Sequence, residues 1–353
     1  MRTILVMAGG TGGHIFPALA VADYLRDTNQ WRVVWLGSRD GMEAKLVPAR
    51  GYEMQWLRFT AVRGKGLARL LLLPLHLLIA FWQSAAVLLR VRPDVVLGMG
   101  GFITFPGGMM AALLARPLVL HEQNAIAGMA NQVLARIADR ILVAFPEALP
   151  KSQCTGNPVR VEIVALPTPA ARYQTRSGAL RVLIIGGSLG AQALNSVLPD
   201  ALRLIPPGER PQVTHQTGAR HVDSVERAYA AAGVVARIAP FIEDMATALA
   251  EADLVICRSG AMTVAELAAA GIAAILVPFP RAVDDHQTAN ARFLADRGAA
   301  ILIPQAQLAA PGLAQLLIGF TREKLLEMAH KARALGKPDA TRLVAEQCMA
   351  AAA

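Results

Sequence analysis

Two glycine-dense stretches hold the residues best suited to chemistry. The first reads Gly9-Gly10-Thr11-Gly12-Gly13-His14, and the second Gly186-Gly187-Ser188-Leu189-Gly190-Ala191. Glycine lets the backbone approach an anion closely, and a helix starting after such a turn presents free N–H groups and a positive dipole end. Both stretches therefore suit a phosphate or diphosphate. In the first, Thr11, Gly12 and Gly13 offer N–H groups and a hydroxyl, and His14 opens the helix that follows. A side chain titrating near neutrality suits that place, either taking a hydroxyl proton or meeting phosphate as a cation. A third polar run, His121-Glu122-Gln123-Asn124, follows an apolar strand pattern, on the loop side where parallel sheets bind ligands. Glu122 competes with His14 as the base, and the residues alone leave that choice open.

The elements that must position these residues alternate between strand and helix. Each glycine turn follows an aliphatic run, Ile4–Val6 or Val182–Ile185, and precedes apolar residues at helical spacing. In the first half the strand candidates are 3–7, 32–36, 95–97, 118–121 and 140–143. In the second half they are 182–185, 212–215, 234–238, 254–257, 274–277 and 300–303. Helical patterns lie between most of them, as in a parallel α/β sheet. The stretch Gly156-Asn157-Pro158-Val159-Arg160 and the proline-rich 165–170 mark an interdomain linker, and Gly336-Lys337-Pro338-Asp339 breaks the last long helix. The expected fold is α/β, with two Rossmann-like, doubly wound domains facing a cleft. Residues 1–157 form the first, with 338–353 crossing back onto it, and 158–337 form the second.

Composition narrows the partners. At 353 residues the chain is long for one core. Cys154, Cys257 and Cys348 are too widely spaced for a metal or redox motif and read as reduced thiols. The chain enters a strand at once, so no signal peptide is expected. The net charge of +9 calls for an anionic partner. Nucleic acid fits poorly, because aromatics make up only 5% and no basic stripe interleaves with them. A membrane surface fits better: the apolar run 70–82 is preceded by Arg58, Arg63, Lys65 and Arg69 and followed by Arg90 and Arg92. Length alone would allow this run to span a bilayer. It sits between strands of one sheet, however, so it reads as a buried crossover helix or an interfacial patch.

Seven motifs in chain order resemble one family, the peptidoglycan N-acetylglucosaminyltransferase (MurG) family, which converts lipid I into lipid II. Besides the two glycine turns they are Gly98-Met99-Gly100-Gly101-Phe102, His121–Asn124, Gly156–Arg160, Cys257-Arg258-Ser259-Gly260-Ala261-Met262-Thr263 and Asp285-His286-Gln287. The resemblance implies the inverting, metal-independent GT-B architecture, with UDP-GlcNAc as donor and no cofactor. The acceptor would be lipid I, held at the cytoplasmic face of the bacterial inner membrane by peripheral contact, with other cell-wall synthesis proteins as further partners. It places Asn124 against the donor, and His121 and Glu122 on the acceptor side. Arg160 and Ser188 become the diphosphate clamp, fitting a chain with no Asp-x-Asp motif. Phe241 and Ile242 would pack on the uracil, with Ile242 backbone groups reaching the base. Ala261, Met262, Thr263, Val264 and Ala265 would line the nucleotide pocket, Glu266 would accept from the ribose hydroxyls, and Gln287 would meet the sugar. On spacing alone, Thr263-x-x-Glu266 also reads as a helix capping box. Two departures stand out: Leu189 where relatives commonly carry glutamine, and Phe102 where they often carry tyrosine.

Rival classes share parts of this pattern. A nicotinamide-dependent oxidoreductase would need the G-x-G-x-x-G spacing and a well-placed acidic residue, for which 37–40 is a weak match. A UDP-sugar epimerase of the same architecture would need neither the cationic apolar patch nor the polar run at 121–124.

Overall fold

A computed structural model of the chain describes residues 1–59, 72–187 and 190–353. The chain divides into two units, Met1–Val159 with Pro338–Ala353, and Arg160–Lys337. Each is built on one parallel sheet. In the first unit the strands are β1 (Thr3–Met7), β2 (Arg32–Ser38), β3 (Glu53–Leu57), β4 (Val95–Gly98), β5 (Leu118–Glu122), β6 (Arg140–Val143) and β7 (Gln153–Cys154). They lie in the order β3-β2-β1-β4-β5-β6-β7, every pair parallel. Helices cover both faces, which is why β1 and β5 are buried along their whole length and why their centres, Ile4–Val6 and Leu118–Leu120, are unbroken aliphatic runs.

On one face α1 (Gly12–Asn29) sets Ile15, Leu19 and Leu25 against Ile4, Val6 and Leu97. The C-terminal helix (Ala340–Ala351) adds Val344, Ala345 and Cys348 to this core, and Arg140 Nη1 donates to Gln347 Oε1 at 2.7 Å. Between them on the chain lie α2 (Glu43–Leu46), α3 (Leu73–Val91), α4 (Thr104–Leu113) and α5 (Met129–Leu134). Helix α3 joins β3 to β4 and packs on the opposite face, burying Ala80, Val87 and Leu88 against Leu5, Met7, Val34 and Leu36. It cannot span a bilayer while both flanking strands belong to one sheet. Its other side remains apolar: Leu78 is 66% exposed and Trp82 72%. Arg63, Lys65 and Arg69 lie outside the described residues, as do Leu70 and Leu71.

The second unit repeats the plan. Its strands are β8 (Arg181–Ile185), β9 (Gln212–Gln216), β10 (Arg237–Ala239), β11 (Leu254–Cys257), β12 (Ala273–Leu276) and β13 (Ala300–Leu302), ordered β10-β9-β8-β11-β12-β13. Its helices are α6 (Val161–Val164), α7 (Pro169–Gln174), α8 (Gln192–Arg203), α9 (Val222–Ala231), α10 (Met245–Glu251), α11 (Ala261–Ala270), α12 (His286–Ala295), α13 (Ala310–Ile318) and α14 (Arg322–Leu335).

In both sheets strand order reverses beside the first strand, at β1/β4 and at β8/β11. Ligands of open α/β sheets bind outside the carboxyl ends of the strands at such a point. The glycine turns follow β1 and β8, while 99–101 and 258–260 follow β4 and β11. Three elements differ from the sequence reading. Edge strand β3 mixes polar and apolar residues, and β7 has only two residues. The strand expected at 234–238 starts at Arg237 instead, because Val234 N–H closes onto the Tyr229 carbonyl at the end of α9.

Candidate active site

The first site grows from the turn between β1 and α1. Thr11 is the N-cap of α1, and its carbonyl accepts from His14 and Ile15 N–H at 3.1 and 3.3 Å. Helix starts leave their first N–H groups without an intrahelical partner. Those of Gly12 and Gly13 have no acceptor among the described residues. Gly10 N–H does, because the fully buried Glu43 accepts from it at 3.1 Å and from Ser38 N–H and Oγ–H at 3.0 Å. The N–H groups of the turn left open among the described residues therefore lie after Gly10, at Gly12 and Gly13. A second turn, from β4 into α4, closes against it. Gly101 has φ +86°, and a Cβ there would lie 2.4 Å from the Gly9 carbonyl oxygen. Gly100 has φ +92°, and a Cβ there would sit 2.9 Å from His14 Cε1 and Nδ1. Glycine at both places lets the backbone press against the turn and against the imidazole.

The polar run ending β5 packs behind that imidazole. His14 Nδ1 lies 2.8 Å from Gln123 Oε1, and Gln123 Nε2 lies 2.9 Å from His121 Nδ1. His121 Nε2 in turn lies 2.9 Å from the Gly156 carbonyl, while Asn157 Nδ2 donates to the Gln123 carbonyl at 3.0 Å. Burial pushes the His121 ring down to about 4, so it is neutral near pH 7. This corrects the expected role of His121, which is fully buried and has both ring nitrogens engaged inside the fold.

Glu122 is corrected on similar grounds. It is 2% exposed and accepts four hydrogen bonds. Oε1 takes Asn124 N–H at 2.9 Å and Asn124 Nδ2–H at 3.2 Å; Oε2 takes Gly128 N–H at 3.1 Å and Asn131 Nδ2–H at 2.9 Å. A carboxylate so occupied fastens the β5–α5 loop and has no lone pair turned outward for a substrate proton. Of the two candidate bases, His14 is the one with a titratable atom, Nε2, that has no partner among the described residues. Asn124 rides on the Glu122 clamp. Phe102 lies against Phe59, ring centroids 6.0 Å apart, so its apolar edge is used in packing.

In the second unit the turn after β8 has the same glycine logic. A Cβ on Gly190, at φ +77°, would fall 2.0 Å from the Thr217 carbonyl oxygen. Ser188 and Leu189 lie outside the described residues. Helix α11 begins at Ala261 with Gly260 as N-cap, so Thr263 is inside the helix and the capping-box reading of Thr263 and Glu266 does not hold. Met262, Thr263, Ala265 and Glu266 lie half-buried along α11, whereas Val264 is wholly in the core and can offer a ligand only its backbone. Ala261 is buried as well. Glu266 is held by Arg160, whose Nε and Nη2 both donate to Oε1, at 3.1 and 2.8 Å. Burial pushes the Glu266 carboxyl above its ordinary range, and the guanidinium pulls the other way. The two residues expected to grip diphosphate and ribose separately thus neutralise each other here.

Four other hydrogen bonds frame this surface. Ile242 N–H donates to Gln216 Oε1 at 3.2 Å, so only its carbonyl remains for a base, while Phe241 beside it is 58% exposed. Gln287 Oε1 accepts Phe279 N–H at 2.9 Å, leaving the amide nitrogen for a hydroxyl. Just before it, Asp284 and Asp285 hold φ values of 53° and 50°, a left-handed pair that carbon-branched residues would resist. Strain of this kind persists where the surroundings dictate it. Here α12 is tied down by Ser259 Oγ–H to the Gln287 carbonyl at 2.8 Å and by Asn290 Nδ2–H to the Ser259 carbonyl at 3.2 Å. Among the described residues no cluster of His, Cys, Asp and Glu has the makings of a metal centre.

Family models match both units: the glycosyltransferase family 28 N-terminal domain over residues 4–143 and the C-terminal domain over 181–344. A protein of Cupriavidus metallidurans named UDP-N-acetylglucosamine--N-acetylmuramyl-(pentapeptide) pyrophosphoryl-undecaprenol N-acetylglucosamine transferase is 63% identical, over 98% of this chain and 97% of its own. A protein of the same name from Ralstonia nicotianae is 61% identical over 99% and 97%. The crystal structure of Acinetobacter baumannii MurG superposes with a TM-score of 0.88 at 40% identity, covering 99% of this chain and all of that one. The chain belongs to the MurG family of glycosyltransferases. Its fold is the family's GT-B pair of parallel-sheet domains. Within that family frame, the site has two supporting residues that the sequence reading did not assign. Gln123 was visible only as part of a polar run, and Glu43 had no local signal, being one acidic residue in a short helix contacted through Gly10 and Ser38.

Proposed function

We propose that this chain moves N-acetylglucosamine from UDP-N-acetylglucosamine to the C4 hydroxyl of undecaprenyl-pyrophosphoryl-N-acetylmuramyl-pentapeptide, lipid I. The product is the β1→4-linked lipid II, formed by one displacement with inversion at the anomeric carbon. The observation that carries this reading is the His14 imidazole, held through Nδ1 and with no partner on Nε2 among the described residues, in the same helix turn as the Gly12 and Gly13 amides. A base and an anion cradle on one turn suit an acceptor that presents both a hydroxyl and a pyrophosphate.

Each step falls to residues of this chain. His14 Nε2 takes the acceptor hydroxyl proton while Gly12 and Gly13 N–H groups, with Thr11, meet the acceptor's diphosphate. In the second unit, donor binding exchanges partners within the Arg160–Glu266 pair. The half-exposed guanidinium turns to the UDP diphosphate, and the carboxylate accepts from the ribose diol. Ser188 joins Arg160 as a hydroxyl donor to the leaving group. Asn124 and Gln287 position the sugar, with Met262, Thr263, Ala265 and the Ile242 carbonyl framing the nucleotide. Rate enhancement comes mainly from orientation and from stabilising the departing UDP.

The acceptor's lipid places the reaction at the cytoplasmic face of the inner membrane. The outward apolar side of α3, with Leu75, Leu78 and Trp82 exposed and Arg58 and Arg90 nearby, supports peripheral contact with an anionic leaflet. Incubation with UDP-N-acetylglucosamine and a lipid I analogue tests the reading. A β1→4 disaccharide product is expected; interconversion of the nucleotide sugar without acceptor would point to an epimerase instead.

A further inference from the structure

The inference drawn here rests on the reading of His14 as the proton acceptor, and concerns how the fold prepares it. We propose that His121 and Gln123 are positioning residues that set the tautomer of His14, leaving the lone pair on Nε2, the nitrogen turned away from them.

The direction of every hydrogen bond in the chain is fixed from its far end. The Gly156 carbonyl can only accept, so His121 Nε2, 2.9 Å away, carries the proton. The buried His121 ring is neutral, so its Nδ1 has a lone pair and needs a donor. That donor is Gln123 Nε2 at 2.9 Å, whose second proton goes to the His121 carbonyl at 3.0 Å. Two acceptors thus fix which end of the Gln123 amide faces His121. The oxygen faces His14, and at 2.8 Å it requires a proton on His14 Nδ1. A neutral imidazole has one N–H, so His14 Nε2 is left with the lone pair a general base needs.

The ring is also confined sideways. Gly100 backs onto it so closely that any side chain there would collide with Cε1 and Nδ1. Two carboxylates on neighbouring segments are already occupied: Glu122 by its four N–H donors and Glu43 by Gly10 and Ser38. Neither competes for His14 Nδ1. Without the chain, an imidazole shares its proton between both nitrogens, and part of the population would present N–H to the substrate hydroxyl. When His14 accepts the proton, its Nδ1–H bond to Gln123 becomes charge-assisted and strengthens at the moment of transfer.

The direct test is a long-range proton–nitrogen correlation spectrum of the full chain with labelled histidine, its signals assigned through His14→Ala and His121→Gln. The two rings should show opposite tautomers, Nδ1–H in His14 and Nε2–H in His121. A second test is the pH profile of kcat/KM in Gln123→Glu. A carboxylate at that position favours the imidazolium, so the acid limb should move up by about one to two pH units, with KM for UDP-N-acetylglucosamine unchanged. Gln123→Leu should lower kcat at least ~10-fold, since a mis-set tautomer is costly wherever histidine is the base. His14 found as Nε2–H in the wild-type spectrum overturns the proposal, as does an unmoved acid limb in a folded Gln123→Glu enzyme. If either variant does not fold, the wild-type spectrum alone decides. Failure of the transferase reading would look different: no acceptor-dependent product from the wild type, with the tautomer signals unaffected.

Discussion

Replacing Glu122 by glutamine separates a structural carboxylate from a catalytic one. Its four accepted bonds, at 2.9, 3.2, 3.1 and 2.9 Å, are divided equally between the two oxygens. Glutamine fits the same volume but turns one oxygen into an NH2 group. Whichever way the amide sits, two N–H donors lose their acceptor and face another donor. Hydrogen bonds to a buried charge are worth about 1.5–3 kcal/mol each, so losing two amounts to about 3–6 kcal/mol. Loop adjustment recovers part of this, and the lower figure is the better expectation. For a domain of this size, that corresponds to a melting temperature lower by roughly 6–12 °C. Calorimetry of the Glu122→Gln variant measures the loss, and turnover assayed well below its transition measures what chemistry remains. The expected result is a large thermal shift, with His14-dependent turnover largely retained in the folded fraction. An unchanged melting temperature with turnover down by roughly 10²–10⁴ would refute the reasoning and return Glu122 to the role of base.

Three more expectations can be checked on the purified chain. Glu266→Ala should weaken UDP binding by about tenfold or more in calorimetric titration with little change in melting temperature, because Glu266 does not cap α11; intact affinity would remove it from the ribose. Gly101→Ala, which puts a Cβ 2.4 Å from the Gly9 carbonyl oxygen at φ +86°, should cost about 2 kcal/mol or more in urea unfolding, and a neutral effect would contradict the close approach of the two turns. Burial pushes both His121 and His215 down to about 4, so the unfolded chain takes up protons that the folded chain resists. Stability should therefore be full above about pH 6.5 and fall as pH drops toward 4, by roughly 3 kcal/mol per histidine. The urea midpoint of His215→Phe should fall less steeply over that window, and an identical slope would count against the assignment.

The fold was legible because both sheets are parallel and covered on two faces. That burial writes aliphatic runs such as Ile4–Val6 and Leu254–Cys257 into the sequence without interruption. Edge strand β3, wetted on one side, lacks that mark, and two-residue β7 is too short to have any period. Positions whose chemistry depends on local backbone were legible too, since Gly9, Gly100, Gly101, Gly186 and Gly190 each sit where a Cβ would collide with a neighbouring group. What sequence could not supply was the direction in which polar side chains turn. His121 and Glu122 stand in one run with Asn124, yet strand burial points both into the fold and spends their polar atoms there. The capping pattern Thr263–Glu266 matched in spacing, but α11 starts three residues earlier because Gly260 takes the N-cap. The ion pair Arg160–Glu266 joins residues 106 apart, and no local pattern could announce it.

One measurement bears most directly on the central claim that His14 and the Arg160–Glu266 pair serve sugar transfer to a membrane-anchored hydroxyl. UDP release should be followed with lipid I analogue, with an analogue lacking only the muramyl C4 hydroxyl, and with neither, all in the presence of a chelator. Release that depends on the intact acceptor and persists under chelation is the predicted result. Equal release with all three, or release restored only by a divalent cation, would contradict it.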